Sequence, residues 1–209
     1  MNITSKLLLA ATFLSSSAYA SEWELDASHT TTSFAVRHMM VSTTKGAFDK
    51  VTGTANIDDK DFAKSQFSVI IDVNSINTRN AQRDGHLRSA EFFDVAKFPN
   101  LTFKSTKIVA TGGGKFDVTG DLTLHGVTKP VTLSVDSVTP ATKTPFGTTV
   151  RGLQATGKIN RKEFGLTWNK ALEAGGVAVS EDVKLEIDAE FTQKVVAVAA
   201  PAAPAAVKK

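Results

Sequence analysis

The stretch VKLEIDAEF, residues 183–191, alternates apolar and charged side chains at every position. Because successive side chains of a β-strand point to opposite sides of the sheet, this pattern predicts an antiparallel strand with one buried face. The same period of two recurs from residue 23 to residue 192, without a convincing long helix to interrupt it. We therefore predict an all-β fold, an eight-stranded antiparallel barrel with one face turned inward.

Several segments carry this pattern and are separated by turn residues. Strands are predicted near residues 23–26, 31–38, 46–58, 66–73, 101–109, 115–124, 128–138, 148–160 and 183–192. Gly112-Gly113-Gly114 predicts a hairpin, because glycine reaches positive φ without steric cost. His125-Gly126 is a second candidate turn.

The alternation stops between Arg79 and Pro99. Residues 79–89 predict a short helix, which Gly85 weakens. The phenylalanines that follow, Phe92 and Phe93 among them, are too closely spaced to lie wholly exposed. The segment near residues 79–95 is therefore either a helical flap over one end of the barrel or an ordinary packed connection.

Both ends of the chain differ from the body. Residues 1–20 combine Lys6, an apolar run and a closing Ala18-Tyr19-Ala20, which predicts a secretory signal peptide cleaved before Ser21 and hence a periplasmic protein. Residues 195–209 are rich in alanine and proline and predict a disordered tail. Residues 21–194 are then long enough for one domain with a sizeable core.

Composition excludes several classes of function. The chain has 24 Lys and Arg against 21 Asp and Glu, and no cysteine. Disulfides, thiolate catalysis and thiolate metal sites are thereby excluded. The charges are interspersed along the strands rather than clustered, which argues against a nucleic-acid groove.

The four histidines also predict no metal or catalytic centre. His29, His38, His86 and His125 fall in different segments, without the spacing of a zinc motif. Asp84-Gly85-His86 places a carboxylate two residues from an imidazole, but no distinctive nucleophile accompanies it. We expect no enzyme activity and no cofactor.

Small residues at inward positions bear on what the barrel holds. Gly53, Ala55, Gly120, Ala155 and Gly157 share the apolar phase of their strands. Small side chains there would leave an apolar slot inside the barrel, suited to a long apolar ligand. Equally, they are typical of bends and bulges in a filled barrel.

The order of several short motifs resembles the YceI family of periplasmic, lipocalin-like proteins that bind polyisoprenoids. These motifs are Ser33–His38, Gly46-Ala47-Phe48, Asp84–Ser89, Glu91–Val95, Phe98-Pro99, Phe103-Lys104-Ser105, Gly120–Thr128 and Ile159–Gly165. The resemblance covers essentially residues 23–192. It implies an extended, lipocalin-like barrel holding a polyisoprenoid or isoprenoid quinone in an interior pore, without cofactor-dependent catalysis.

We expect the pore and its mouth to be formed by inward residues and by nearby cations. The expected apolar lining is Phe34, Val36, Phe48, Phe67, Val69, Ile71, Phe103, Phe116, Val118 and Leu122. His38, Arg83 and Arg88 are expected at the rim, where arginines could clamp a polar head group. A solvated surface of ion pairs is the alternative explanation of these charges.

Three functions follow as hypotheses. The first is a periplasmic carrier or reservoir for an isoprenoid lipid. The second is a non-enzymatic module with a filled barrel that acts in envelope stress or on a membrane redox protein, through an outer face or the tail. Contact with a membrane or a membrane redox protein, and formation of a homodimer, are expected as partners of the chain. The third, an enzyme acting on a lipid through His38 or His86, ranks last because no acid and base pair stands out.

Overall fold

The computed structural model describes residues 21–173 and 175–194. The predicted signal peptide and Ala/Pro tail lie outside the described residues. The strands are β1 (Ser21–Leu25), β2 (Thr31–His38), β3 (Ser42–Phe48), β4 (Val51–Ile57), β5 (Gln66–Asp72), β6 (Ile76–Asn77), β7 (Asn100–Gly112), β8 (Lys115–Leu124), β9 (Val127–Val138), β10 (Thr142–Lys143), β11 (Thr149–Asn160) and β12 (Val179–Gln193). One α-helix, α1 (Ala81–Arg88), and 3-10 turns at Phe62–Lys64, Val73–Ser75 and Arg161–Phe164 complete the described elements.

The predicted eight-stranded antiparallel barrel is confirmed. β12 pairs on one side with β11 and on the other with both β1 and β2. β1 pairs with β4, and β2 pairs with β3. From β4 the ring continues through β5, β7, β8 and β9 back to β11. The three pairs β1/β2, β3/β4 and β5/β6 therefore act as three long strands, each broken once. Among the described residues the wall closes through β12, β1, β4, β5, β7, β8, β9 and β11, whereas β6 at one end of the barrel pairs with β3 alone.

The three breaks are corners, at residues 26–30, 49–50 and 73–75. At the first, the Asp26 carboxylate accepts the backbone N–H of Ser28 at 2.8 Å, which turns the chain locally. At the second, the N–H groups of Asp49 and Lys50 bond the backbone and hydroxyl of Ser75. The continuous strand predicted over 46–58 is thus two strands. It breaks at residues 49–50 because their backbone N–H groups bond to Ser75, in the third corner, and not to a neighbouring strand.

The expected hairpin turns are confirmed. Gly112, Gly113 and Gly114 connect β7 to β8, all with positive φ. His125 and Gly126 connect β8 to β9 with φ of 52° and 75°. β12 is longer than residues 183–192 because it extends back to Val179, where it pairs with His38.

The hydrophobic core inside the barrel consists of two clusters of buried residues. The larger includes Trp23 and Ile57, which are 0% and 1% exposed, at the end of the barrel where β1 begins. We call this the far end. The smaller gathers Leu122, Leu124, Phe164 and neighbours at the opposite end, where α1 lies; we call this the flap end. The space between the clusters positions the candidate site.

Candidate functional site

The barrel encloses an apolar cavity of about 160 Å³ between its two core clusters. Its wall comes from β1, β2, β3, β5, β7, β8, β9, β11 and β12. The lining residues are Leu25, Thr30, Thr32, Ser33, Phe34, Phe48, Phe67, Val69, Ile71, Leu101, Phe103, Val118, Leu122, Val131, Leu133, Val135, Leu153, Ala155, Ile159, Leu185, Ile187, Ala189 and Phe191. Such an apolar, concave space favours an apolar ligand over a polar one.

Eight of the residues that the sequence predicted for the pore line this cavity. They are Phe34, Phe48, Phe67, Val69, Ile71, Phe103, Val118 and Leu122. Sequence reasoning left out the cavity residues of β9 and β12, as well as Leu153 and Ile159 of β11, although their alternation marked the same inward face. Leu185, Ile187 and Ala189 stand in the very stretch whose alternation predicted the barrel.

Three other predicted residues lie elsewhere. Val36 is half-buried in the inward phase of β2, opposite Thr44, but lies beyond the cavity towards the flap end. His38 is exposed at the end of β2, where it pairs with Ser42 and Val179. Phe116 packs on Phe62 at 4.5 Å between ring centroids, in the far end. The expectation that Val36 and Phe116 line the pore is corrected, and the expected rim role of His38 stays a prediction.

Neighbouring side chains fill the space beside the glycines that were expected to leave a slot. A Cβ on Gly120 would lie 2.4 Å from Cζ of Phe103, and one on Gly157 would lie 2.6 Å from Cδ2 of Leu133. These glycines therefore admit large side chains of the next strand, and the cavity lies elsewhere. Ala155, by contrast, lines the cavity, as expected of a small inward residue.

Arg83 and Arg88, expected at a ligand-binding rim, bond the backbone beside them. Arg88 donates from Nε to the Asn74 carbonyl and from Nη2 to the Ile76 carbonyl, both at 2.9 Å. Arg83 donates to the hydroxyl and carbonyl oxygens of Thr78 at 2.7 and 2.8 Å. In the described part of the chain β6 pairs with β3 alone, so α1 supplies the donors that a neighbouring strand would otherwise provide. Both arginines thus have partners within the protein, and their expected role in binding a head group stays a prediction.

This geometry predicts that Arg88→Ala lowers stability. Two charge-assisted hydrogen bonds are lost, an exposed one to Asn74 and a partly buried one to Ile76, so we expect the free energy of unfolding to fall by about 2 kcal/mol. Urea unfolding measures the change, with Lys107→Ala at an exposed position of β7 as the control for loss of a cation. Equal stability of Arg88→Ala and the control would contradict the bracing role of α1.

The flap end is closed by aromatic contacts. Phe93, which follows α1, packs edge-on against the cavity residue Phe48 at 6.0 Å. His86 of α1 lies 5.0 Å from Phe92 and 5.3 Å from Trp168, which precedes β12. The segment after β6 therefore contains the expected short helix and packs against the cavity wall at this end of the barrel.

The far end is closed by a charged and aromatic layer. Phe62 packs on Phe67 at 5.8 Å. The Arg151 guanidinium lies 5.4 Å from the Trp23 ring centroid and donates to the Asp59 carboxylate at 2.6 Å. Because Asp59 and Phe62 belong to the same loop after β4, this ion pair holds the loop over the end of the barrel.

A polar cluster forms at the β1/β2 corner. Nδ1 of His29 lies 3.0 Å from the Asp26 carboxylate and 3.8 Å from the Glu190 carboxylate. The Asp26 carboxylate also accepts the Ser28 hydroxyl at 2.6 Å. Among the described residues, this is the one cluster whose side chains stand close enough together to share a metal ion. Sequence reasoning missed it because Glu190 is distant along the chain, and the bonds within the cluster account for its geometry.

These contacts shift the pKa values of His29 and Asp26 in opposite directions. The bond to Asp26 raises the pKa of His29 above 6.5, and the charges of Asp26 and Glu190 add to the shift. The bonds from Ser28 and His29 lower the pKa of Asp26 to about 2. At pH values between these two pKa values His29 is protonated and Asp26 is ionised, so the attraction between the two side chains is strongest there.

The stabilisation by His29 depends on pH in a defined direction. Its folded pKa is raised, so its contribution is complete below the unfolded pKa of about 6.5 and is lost as pH rises through the folded value. We expect the stability difference between wild type and His29→Gln to shrink between about pH 5.5 and pH 8.5. Urea unfolding at both pH values measures it, and Asp26→Asn is expected to lower the His29 pKa seen by NMR. A difference that is constant with pH would contradict this pairing.

In the described residues, no helix has the length and apolar character needed to cross a membrane.

Comparison with known proteins gives a family match. Residues 23–191 match the YceI-like domain. Protein YceI of Salmonella newport is 38% identical over 195 residues, which are 92% of this chain and 98% of that protein.

Two solved structures share the fold. The YCEI protein of Campylobacter jejuni is 30% identical with a TM-score of 0.65, over 76% of this chain and 90% of its own. A polyisoprenoid binding domain from Saccharophagus degradans, implicated in plant cell wall breakdown, is 20% identical with a TM-score of 0.61, over 84% of this chain and 99% of its own. At that identity the second likeness concerns the fold alone.

Proposed function

Because this chain belongs to the YceI-like family, we propose that it is a non-enzymatic binding protein that holds the tail of a long isoprenoid lipid inside its barrel. The lipid is of the polyprenyl or isoprenoid quinone type. The observation that carries the proposal is the cavity inside the barrel, whose wall is built almost wholly of Phe, Leu, Ile, Val and Ala side chains. The Saccharophagus degradans barrel, which is described as polyisoprenoid binding, supports the same ligand class.

The hydrophobic effect supplies the affinity. Each square ångström of tail removed from water contributes about 25 cal/mol. The cavity wall is apolar, so binding an apolar tail leaves few protein polar groups without hydrogen-bond partners. An apolar tail is thus bound without a dense set of polar contacts, as the composition of the wall requires.

The size of the cavity limits what enters without rearrangement. A volume of about 160 Å³ is close to the roughly 150 Å³ apolar cavity that takes up benzene. A tail of several isoprene units therefore has to separate side chains at one end of the barrel. Phe93 at the flap end and Phe62 at the far end are the aromatic residues whose displacement would lengthen the cavity.

The proposal places the mature barrel in the periplasm, where it transports or stores the lipid. The secretory pattern of residues 1–20 supports this compartment. A protein that carries such a lipid exchanges it with a membrane or with a membrane redox protein. We propose that this protein makes such contacts and that it self-associates into a homodimer.

The test is native mass spectrometry of the mature protein purified from its own periplasm, followed by organic extraction of anything bound. We expect an isoprenoid or quinone at about one molecule per chain. The intact mass also distinguishes a monomer from a dimer. A clean apo mass that stays unchanged after isoprenoid lipids are added would overturn the proposal and favour a protein-binding module.

A further inference from the structure

The polar part of the cavity wall is confined to one place. Thr30, Thr32 and Ser33 are its polar lining residues, and all three lie at or just after the β1/β2 corner. The Thr32 hydroxyl donates to the Phe48 carbonyl at 3.2 Å. The Thr30 hydroxyl oxygen accepts the backbone N–H of Glu190 at 3.2 Å, so its own proton remains for another acceptor.

The barrel wall is interrupted at the same corner. Pairing of β12 with β1 ends at Leu25 opposite Phe191, and pairing with β2 begins at Thr31 opposite Asp188. Between them, the Glu190 backbone bonds the corner loop rather than a strand, through the Asp26 N–H at 2.8 Å and the Thr30 hydroxyl. Because Thr30 lines the cavity, part of the cavity wall here is a loop and not a strand ladder.

The surface outside this corner is acidic. A depression there shares Leu25 with the cavity and is lined by Glu24 and Asp26, with Lys194 as its cation. Glu190 stands beside Asp26 across His29. Three carboxylates therefore surround the corner against one lysine and one histidine.

We propose that the β1/β2 corner holds the polar end of the bound lipid and selects an uncharged head group, a hydroxyl or a carbonyl, over a phosphate. This inference rests on the proposed function, since it assigns the orientation of the lipid in the same cavity. Thr30 donates a hydrogen bond to the oxygen of the head group. The three carboxylates repel a phosphate at the same place, so discrimination comes from like charge and not from a separate binding pocket.

The test compares a polyprenol with the polyprenyl phosphate of the same chain length, by binding to the delipidated wild-type protein. We expect the polyprenol to bind about tenfold more tightly, because like charges brought together oppose the phosphate. In Glu24→Gln/Glu190→Gln the preference should fall to about threefold or less. Glu186→Gln/Asp121→Asn removes the same charge from exposed positions of the barrel exterior and should keep the tenfold preference.

A second variant tests the hydrogen bond. Thr30→Val keeps the shape of the side chain and removes the donor, so polyprenol binding should weaken about fivefold. The hydrocarbon with the same tail should bind the variant and the wild type equally. Thr156→Val, at an exposed position of β11, is the matched control.

The outcomes separate the inference from the proposed function. Equal binding of polyprenol and polyprenyl phosphate, unchanged in the corner variants, would overturn the inference and leave the lipid-binding barrel standing. A preference for the polyprenyl phosphate that disappears in Arg83→Ala/Arg88→Ala but not in the corner variants would move the head group to the flap end and also overturn the inference. Failure of polyprenol, phosphate and hydrocarbon alike to bind would overturn the proposed function itself.

Discussion

Ala155→Phe is expected to abolish lipid retention while the barrel still folds. Ala155 is 3% exposed, lines the cavity and stands between Val135 and Ile187 on the neighbouring strands. A phenyl ring placed there occupies the space that the lipid tail would take. Because the ring enters an existing cavity, we expect stability to fall by no more than about 1–3 kcal/mol. Bound lipid is measured by extraction of the purified variant, and stability by urea unfolding.

Two variants make this result interpretable. Thr156→Phe places the same ring on the outer face of the same strand and should retain lipid at the wild-type level. Ala155→Leu fills less of the cavity and should lower retention by an intermediate amount. Retention by Ala155→Phe equal to that of Thr156→Phe would show that the tail does not occupy this cavity.

Gly120→Ala is expected to destabilise the barrel more than a single methyl group ordinarily does. The new Cβ would lie 2.4 Å from Cζ of Phe103 and 2.6 Å from the carbonyl oxygen of Lys104. The ring can move only towards the cavity that it lines, and the carbonyl belongs to the paired strand β7. We expect a loss of about 3 kcal/mol in the free energy of unfolding, together with reduced lipid retention.

Two comparisons separate the ring from the backbone. Phe103→Leu in the Gly120→Ala background should recover part of the stability, because only the contact with the ring is relieved. Gly85→Ala is the matched control, since a Cβ there has no heavy atom within 4 Å and alanine suits a helix. We expect Gly85→Ala to stabilise the protein slightly. A loss at Gly120 no larger than the change at Gly85 would contradict the tight packing of β8 against β7.

The pattern of alternation predicted which face of each strand turns inward, and most of the predicted pore residues do line the cavity. It could not predict how far along each strand the cavity extends. Val36 and Phe116 share the inward phase with their neighbours yet lie beyond the two ends of the cavity. Periodicity reports direction, whereas the bounds of a cavity depend on side chains that arrive from other strands.

The corners and the flap likewise depend on contacts with distant segments that the local sequence does not reveal. Nothing local in residues 46–58 indicated that the strand breaks at Asp49 and Lys50, because its cause is the bond to Ser75 on another segment. Arg83 and Arg88 looked like ligand-binding cations because exposed arginines often clamp anions. Their actual partners are carbonyls that a short neighbouring strand left unpaired.

The sequence by itself determined the all-β class, the antiparallel barrel and its turns, since strand period and glycine conformation are local properties. It also determined membership of the YceI-like family, through motifs whose order spans the whole barrel. Only the tertiary structure decided where the cavity lies, which glycines are filled, and that Glu190 joins Asp26 and His29 at a break in the wall. Each of these depends on contacts between residues distant along the chain, and such contacts are set by closure of the barrel and not by any single segment.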